Sequence, residues 1–351
     1  MTAHRFDWSS AYPSTRLPVF ARNIVSTSHP LAAQAGLRIM QQGGNAVDAA
    51  IATAAVMMLV EPCSNGLGSD MFCILWDGEK LHGLNASGPA PAAWTPEYFR
   101  RKHGVDAARP PKRGWDSVTV PGAVAGWVAL SERFGKLAFA DLLAPAIETG
   151  ERGCAVPIVV QEKWVAAAPL LEREPGWADA FLPKGRPPEV GERFAFPAAA
   201  RSLRAIAETR GAALYGGEIA EAAAKHAAAN GGAMTVRDFA SFEPEWVETI
   251  GIDAWGHRLH EIPPNGQGIA ALSALGILRN FDVSSFPVDS TDSLHLQIEA
   301  MKLAFADTWG HVSDPATMEL TTAQLLEDTY LADRAKPVSY THLTLPTNRE
   351  V

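Results

Sequence analysis

The stretch that decides the fold is residues 28–62, SHPLAAQAGLRIMQQGGNAVDAAIATAAVMMLVEP. Ser28 is suited to cap a helix that has Pro30 in its first position and ends at a pair of glycines. Asn45 can then cap a second helix over residues 46–59, with an acidic residue three positions later. This second helix is apolar on every side, which is typical of a helix buried at the centre of a sizeable fold.

A glycine-rich loop follows the buried helix. Residues 64–72 read SNGLGSDMF. A β-hairpin is predicted next, with strands at 71–76 and 80–85 joined at Asp77-Gly78. Glycines in the loop Asn65–Gly68 let the backbone approach a ligand or another chain closely. Packing alone also explains the loop, and we take it to be structural.

Helices and strands alternate through the rest of the chain. Further helices are predicted near 123–134, 138–151, 197–210, 216–229 and 268–280, with strands near 244–251 and 256–262. Residues 155–195 are rich in proline, glycine and charge and are expected to be irregular. A last helix over 292–307 has an apolar face formed by Leu294, Ile298, Met301 and Phe305. Mixed elements of this kind indicate an α+β or layered fold.

The composition excludes several classes of protein. The chain is 47% hydrophobic and 20% charged, as in ordinary globular proteins. Its net charge of −9 repels phosphate backbones, so no nucleic-acid partner is expected. We see no signal peptide and no apolar run that reaches the roughly 20 residues of a membrane span, which predicts a cytoplasmic protein with no membrane partner.

Few residues indicate chemistry through their spacing alone. His295 and Glu299 lie one turn apart on a predicted helix, but two ligands do not complete a metal site, and a surface ion pair is the simpler interpretation. His311 and Asp314 resemble a loop pair. The three cysteines, Cys63, Cys73 and Cys154, contain no CxxC pair and are expected to be buried reduced thiols. By such motifs the chain shows no nucleophile, metal or cofactor.

Five ordered blocks of sequence resemble the γ-glutamyltranspeptidase family. Two are the stretches 28–62 and 64–72 quoted above. The others are VPGAVAGWVALSERFGKLAFADLLAPAIETGERG at 120–153, PPNGQGIAALSALGILRNFD at 263–282 and LHLQIEAMKLAFAD at 294–307. The resemblance covers roughly residues 20–335. It implies an α+β, four-layer αββα fold of the N-terminal-nucleophile hydrolases, made as a proenzyme that cuts itself into a large and a small subunit.

The resemblance implies amide chemistry without a cofactor. In this family a threonine freed by the cut attacks an amide, its own α-amine serves as the base, and the acyl group passes to water or to an amine. The chain resembles only the large-subunit part, with residues 1–20 as an N-terminal arm and 20–337 as the large-subunit region. No catalytic residue is therefore expected in this chain, and the chain alone is expected to be inactive. Its implied partners are the small-subunit region of the same proenzyme and a small-molecule amide.

A short stretch near the end of the sequence weakly resembles the nucleophile motif of the family. Residues 340–344 read YTHLT, but Tyr340 stands where the nucleophile belongs, and Thr341 comes too soon after the last helix. We interpret residues 338–351 as a non-native tail. A natural chain end and a displaced nucleophile are the alternatives.

The substrate signature departs from the family pattern. The transpeptidases place an arginine on the substrate α-carboxylate from a stretch after the hairpin, because the planar guanidinium grips a carboxylate bidentately. The matching stretch here is NASGPAP, residues 85–91, and Ser87 takes the arginine's position. The substrate-binding candidates are Asn85, Ser87 and Gly88, and the arginines that would have to replace the missing one are Arg100, Arg101 and Arg113.

Two interpretations of this departure remain open. The resemblance favours an amidase or acylase with another acyl group, such as a cephalosporin-type side chain or an oxamate-like amide. Ser87 is otherwise only a turn residue. For the chain as a whole, a non-enzymatic binding or scaffold protein of the same fold is the alternative.

Overall fold

The computed structural model describes residues 19–104 and 110–338. Contacts divide the chain into two compact units. The larger unit comprises Ala21–Phe72 and Asn85–Glu245, and the described part of the smaller unit comprises residues 19–20, Cys73–Leu84 and residues 246–338. Most of the predicted N-terminal arm, and the tail with Tyr340 and Thr341, lie outside the described residues.

Helices dominate both units. They are α1 (Pro30–Gln41), α2 (Ala46–Val60), α3 (Pro96–His103), α4 (Ala123–Phe134), α5 (Phe139–Arg152), α6 (Ile158–Leu171), α7 (Trp177–Phe181), α8 (Pro197–Thr209), α9 (Ala212–Tyr215), α10 (Glu218–Ala229), α11 (Val236–Ala240), α12 (Ile269–Leu278), α13 (Thr291–His311), α14 (Thr322–Leu325) and α15 (Asp328–Ala335). Among the described residues, none of these helices combines the length and the apolar character needed to cross a bilayer.

The strands form three small sheets within the described residues. They are β1 (Met71–Trp76), β2 (Leu81–Ala86), β3 (Cys154–Ala155), β4 (Arg193–Phe194), β5 (Glu245–Val247), β6 (Ile250–Ala254) and β7 (His257–Glu261). The first sheet has the order β1-β2-β5, and the pairs β3–β4 and β6–β7 are antiparallel. The single strand predicted near 244–251 is thus two strands in different sheets.

Side chains cap the N-terminal ends of both α1 and α2. Asn45 and Asp48 form a reciprocal capping box at the start of α2. The buried Asp48 carboxylate also accepts the backbone N–H groups of Lys136 and Leu137, which ties α2 to the segment before α5. The cap of α1 was predicted wrongly, since the Nδ1 atom of His29, one residue after Ser28, accepts the N–H of Leu31.

Residues 155–195 are not irregular, contrary to the prediction. They contain α6, α7 and the two-stranded pair β3–β4, with a small core of their own. Val160 and Trp164 lie four residues apart on α6, so both face inward, and the Trp164 ring meets the Phe194 ring edge-on at 4.8 Å. The proline and glycine content concealed this apolar spacing.

The last long helix exposes only part of its predicted apolar face, since Met301 and Phe305 are half-buried. Helix α13 packs on α12, and its Ala300 and Ala304 are fully buried. Leu294 and Ile298 remain exposed, and Trp309, which continues the face, is 69% exposed. The core of this unit includes Ala300, with Leu296 and Leu303 packed against it, and none of these three residues belongs to the predicted face.

Strand β1 also presents an apolar face. It lies at the edge of its sheet, and its residues alternate between half-buried and exposed. The exposed positions are Phe72, Ile74 and Trp76, of which Trp76 is 60% exposed. An apolar edge strand of this kind is a surface that proteins normally cover.

Candidate substrate site

The stretch 85–91 forms a turn held against the start of α4. The Oδ1 atom of Asn85 accepts the N–H of Ser87 at 3.0 Å. Gly88 has a φ of +76°, and a Cβ built there would lie 1.7 Å from the carbonyl oxygen of Val120. The N–H of Val120 in turn donates to the carbonyl of Pro89 at 2.9 Å. Glycine is required at position 88 for both its backbone angle and its contact.

The same region connects the turn to the glycine-rich loop. A Cβ on Gly122 would lie 2.0 Å from the carbonyl oxygen of Ala86. The carbonyl of Ser69 accepts the N–H groups of Gly122 and Ala123 at 3.2 and 3.0 Å, and the Ser69 hydroxyl accepts the N–H of Gly66 at 2.9 Å. The loop, the turn and the start of α4 thus meet through backbone contacts, which leave no room for a side chain at Gly88 or Gly122. Within the loop itself, Gly66 and Gly68 have room for a Cβ.

The far end of the turn is fixed by Asp238, which the sequence reasoning missed. Its Oδ1 atom accepts the N–H of Ala92 at 2.8 Å, and its Oδ2 atom accepts the N–H and hydroxyl of Thr235. Burial opposes ionisation of this carboxyl, but these hydrogen bonds outweigh it, and the pKa of Asp238 is lowered. The spacing of Thr235 and Asp238 is that of a capping box. This spacing could have predicted the start of a helix, but it gives no indication of the hydrogen bond to Ala92.

A cavity of about 510 Å³ opens beside the glycine-rich loop. Asn65, Gly66, Ser69 and Asp70 supply its polar wall. The rest of the lining comes mainly from the N-terminal segment, α2 and α4 and is largely apolar, with the hydroxyl residues Ser26, Thr27 and Thr53 among it. A concave site with one polar edge and a mostly apolar lining is suited to a small organic molecule.

The family model described as Gamma-glutamyltranspeptidase matches residues 32–349. The chain belongs to the γ-glutamyltranspeptidase family. The matched range includes most of 338–351, the stretch interpreted above as a non-native tail, so that interpretation stays a prediction.

Two curated relatives of this chain carry different names. It is 34% identical over 322 residues to the glutathione hydrolase-like YwrD proenzyme of Bacillus subtilis, covering 91% of this chain and 60% of that protein. It is 36% identical over 326 residues to the acylase ACY 1 proenzyme of a Pseudomonas species, covering 90% and 58%. The chain therefore spans about three fifths of the length of these relatives.

The fold agrees with a solved structure of the family. The crystal structure of cephalosporin acylase from Bacillus halodurans matches with a TM-score of 0.89 and 45% identity, covering 95% of this chain and 63% of that one. The predicted fold class, α+β of the γ-glutamyltranspeptidase and N-terminal-nucleophile hydrolase type, is confirmed.

None of the three arginines considered as replacements lines the cavity. Arg100 is exposed and pairs with Glu97 one turn away on α3. Arg101 and Arg113 are exposed and form no ion pair within residues 19–104 and 110–338. Whether Asn85, Ser87 and Gly88 contact substrate stays a prediction.

The other polar candidates do not form the arrangements expected of them. Glu299 is only 6% exposed and accepts from Lys302 at 2.7 Å, so the predicted surface pair with His295 is wrong. No bond joins His311 to Asp314 in the described part of the chain, and the Asp314 carboxylate instead accepts the N–H of Ala316. The described residues contain no group of three or more metal-binding side chains.

The three cysteines are free thiols, as predicted, but they are half-buried rather than buried. Burial raises the pKa of the Cys73 and Cys154 thiols. Cys63 lies at the start of the glycine-rich loop and faces a separate cluster of aromatic residues.

Proposed function

We propose that this chain is the large-subunit portion of a γ-glutamyltranspeptidase-like proenzyme whose acyl group is not γ-glutamyl. The observation that carries the proposal is Ser87 at the arginine's position, in a turn that Asn85 and Gly88 hold in one conformation. Losing a bidentate, charge-assisted contact costs on the order of 1.5–3 kcal/mol, a roughly tenfold to hundredfold loss in affinity. Such a site binds an α-carboxylate poorly. An uncharged acyl group can bind there without leaving a guanidinium unpaired.

The chemistry of the complete enzyme is hydrolysis or transfer of an amide acyl group by a downstream threonine. The threonine hydroxyl adds to the amide carbonyl while its terminal amine takes the proton, and the amine product leaves. Water or an amine then takes the acyl group from the resulting ester. This chain supplies the turn and the cavity, and by itself it is inactive. The names of two relatives, acylase ACY 1 and cephalosporin acylase, agree with an acylase.

The partner of this chain is the small-subunit region of the same proenzyme. The apolar face of β1 (Phe72, Ile74 and Trp76) and the exposed Leu294, Ile298 and Trp309 of α13 support this proposal, because surfaces of this kind are normally covered. The relatives are longer than this chain, which accommodates such a partner within one precursor.

A matched pair of anilides tests the acyl group. The gene is expressed through its downstream region, and the processed enzyme is assayed with butyryl and γ-glutamyl p-nitroanilide. Butyryl is the γ-glutamyl group without its amine and carboxylate, so the two substrates share the same carbon chain up to the α-carbon and differ in the carboxylate that the arginine would bind and in the neighbouring amine. We expect kcat/KM for the butyryl substrate to exceed that for the γ-glutamyl substrate by at least about tenfold. Equal or better hydrolysis of the γ-glutamyl anilide contradicts the proposal.

A further inference from the structure

We propose that a second cavity, on the Cys63 side of the glycine-rich loop, binds the apolar end of the acyl group. This inference rests on the proposed function, since it names the substrate class as amides of short, uncharged acyl chains. It is carried by the lining, the size and the position of the cavity.

The cavity is formed mainly by the aromatic cluster of residues 155–195. Its volume is about 90 Å³. The residues that line it are Pro62, Cys63, Trp164, Ala167, Leu171, Trp177 and Phe181. None of them is charged, so a carboxylate or an ammonium group placed there would lose its hydration without gaining a partner.

The wall of the cavity is fixed before any ligand arrives. Trp164 is only 3% exposed, and its indole N–H donates to the carbonyl of Phe181 at 3.0 Å. The rings of Trp164 and Phe181 meet edge-on at 6.0 Å, and those of Trp177 and Phe181 lie 5.5 Å apart. Because the one polar atom of the Trp164 side chain is already bonded, the surface that it offers to the cavity is apolar.

The size of the cavity limits the ligand to a short chain. An enclosed apolar cavity of about 150 Å³ holds benzene. A cavity of about 90 Å³ is smaller than that, and its volume is close to that of a chain of about three or four carbons. Each methylene buried in such a site improves binding about fourfold.

The cavity shares a loop with the candidate substrate site. Pro62 and Cys63 line the aromatic cavity, while Asn65 and Gly66, only two or three residues further on, line the larger one. The carbonyl of Glu61 accepts the N–H groups of Ser64 and Asn65 at 3.0 and 3.1 Å, so this stretch is a defined turn. One loop therefore lines both cavities, with Asn65 and Gly66 at the larger one and Pro62 and Cys63 at the aromatic one.

Alkylation of the cysteines measures occupancy in the 351-residue chain itself. Iodoacetamide is added with and without butanamide, and the labelling rate of each cysteine is followed by mass spectrometry. We expect butanamide to slow labelling of Cys63 and to leave Cys73 and Cys154 unchanged, which makes these two thiols internal controls. Propanamide should bind about fourfold more weakly. Glutamine, which is butanamide with an added amine and carboxylate, should not protect Cys63.

Two substitutions on one helix locate the site. Ala167→Leu fills the cavity, whereas Ala166→Leu adds the same side chain at the exposed neighbouring position. We expect protection by butanamide to be lost in A167L and retained in A166L. Circular dichroism melts of both variants show whether each remains folded, and a folded A167L that still shows protection overturns the assignment.

The result is independent of whether the complete enzyme is active. Protection of Cys63 that is absent at 50 mM butanamide, or equal for butanamide and glutamine, overturns this inference alone. If protection has the expected pattern but the processed enzyme prefers γ-glutamyl anilide, the proposed function is wrong. The cavity then binds short apolar amides, but its assignment to the acyl group of the substrate is also wrong. Protection together with a butyryl preference that A167L abolishes and A166L keeps supports both.

Discussion

Gly88 and Val120 are in direct backbone contact, although they are far apart in the sequence. The position that a Cβ of residue 88 would take is 1.7 Å from the Val120 carbonyl oxygen, and the φ of Gly88 is +76°. This contact sets the path of the turn that carries Ser87. The turn is therefore fixed by backbone packing and not by side-chain interactions alone.

Replacing Gly88 by alanine should be among the most damaging single changes in the larger unit. Alanine disfavours the positive φ of this position, and its methyl group would clash with the Val120 carbonyl oxygen. We therefore expect a loss of about 2–5 kcal/mol in the free energy of unfolding. Gly114→Ala is the matched control, because Gly114 has a φ of +82° and nothing within 4 Å of its Cβ position. It should lose only about 1–2 kcal/mol. Urea unfolding curves compare the two, and equal losses would show that the contact with Val120 is unimportant.

Restoring the arginine should restore recognition of the γ-glutamyl group. In the processed enzyme, Ser87→Arg should raise kcat/KM for γ-glutamyl p-nitroanilide by roughly tenfold to hundredfold, because a bidentate contact with the α-carboxylate becomes available. Ser87→Lys should gain less, since lysine lacks the planar fork. If both variants leave kcat/KM unchanged, residue 87 does not face the substrate.

The apolar face of β1 should make the isolated 351-residue chain associate with itself. Trp76 is exposed on this edge strand, and Trp76→Lys places a charge there. We expect sedimentation velocity to show a smaller share of oligomers for this variant than for the unchanged chain. Trp255, which is also exposed but lies between β6 and β7, provides the control substitution Trp255→Lys. A monodisperse unchanged chain would contradict the prediction.

Asp116 should make stability depend on pH in the acidic range. Its carboxyl is 4% exposed, with Lys102 Nζ at 2.6 Å, His103 Nε2 at 2.7 Å and the Tyr98 hydroxyl at 2.8 Å. Burial opposes ionisation, but these hydrogen bonds and the Lys102 charge outweigh it and lower the pKa. The carboxylate therefore stabilises the fold above the unfolded pKa of about 3.9, and this stability is lost as pH falls through the lower folded pKa.

The substitution Asp116→Asn tests this dependence. At pH 7 it should cost about 2–4 kcal/mol, and the difference from the unchanged chain should narrow below about pH 4. Asp253→Asn removes an exposed partner of Arg258 and should cost less than about 1 kcal/mol at either pH. Thermal or urea unfolding at pH 7 and pH 3 measures both variants. A penalty for D116N that is the same at both values would contradict the assigned pKa shift.

Local signals in the sequence predicted the elements well where the cause of the structure is itself local. The capping box of Asn45 and Asp48, the Asp77-Gly78 turn between β1 and β2 and the buried α2 all appear as expected. The prediction for residues 155–195 was wrong because proline and glycine were weighed there more than the spacing of Val160 and Trp164. The surface ion pair of His295 and Glu299 was wrong because burial depends on the packing of α13 against its neighbours.

The sequence by itself determined the family, the main helices and the absence of the arginine at position 87, because each depends on residues close together in the chain. Only the tertiary structure decided how the turn is held. The Asp238 carboxylate accepts the N–H of Ala92, 146 residues away in the sequence, and the Val120 carbonyl that contacts Gly88 belongs to the segment before α4. The structure likewise decided that Leu294 and Ile298 of α13 and the β1 face are exposed and that Cys63 borders an aromatic cavity. Contacts of this kind depend on how distant segments pack together, and no local pattern of residues encodes that packing.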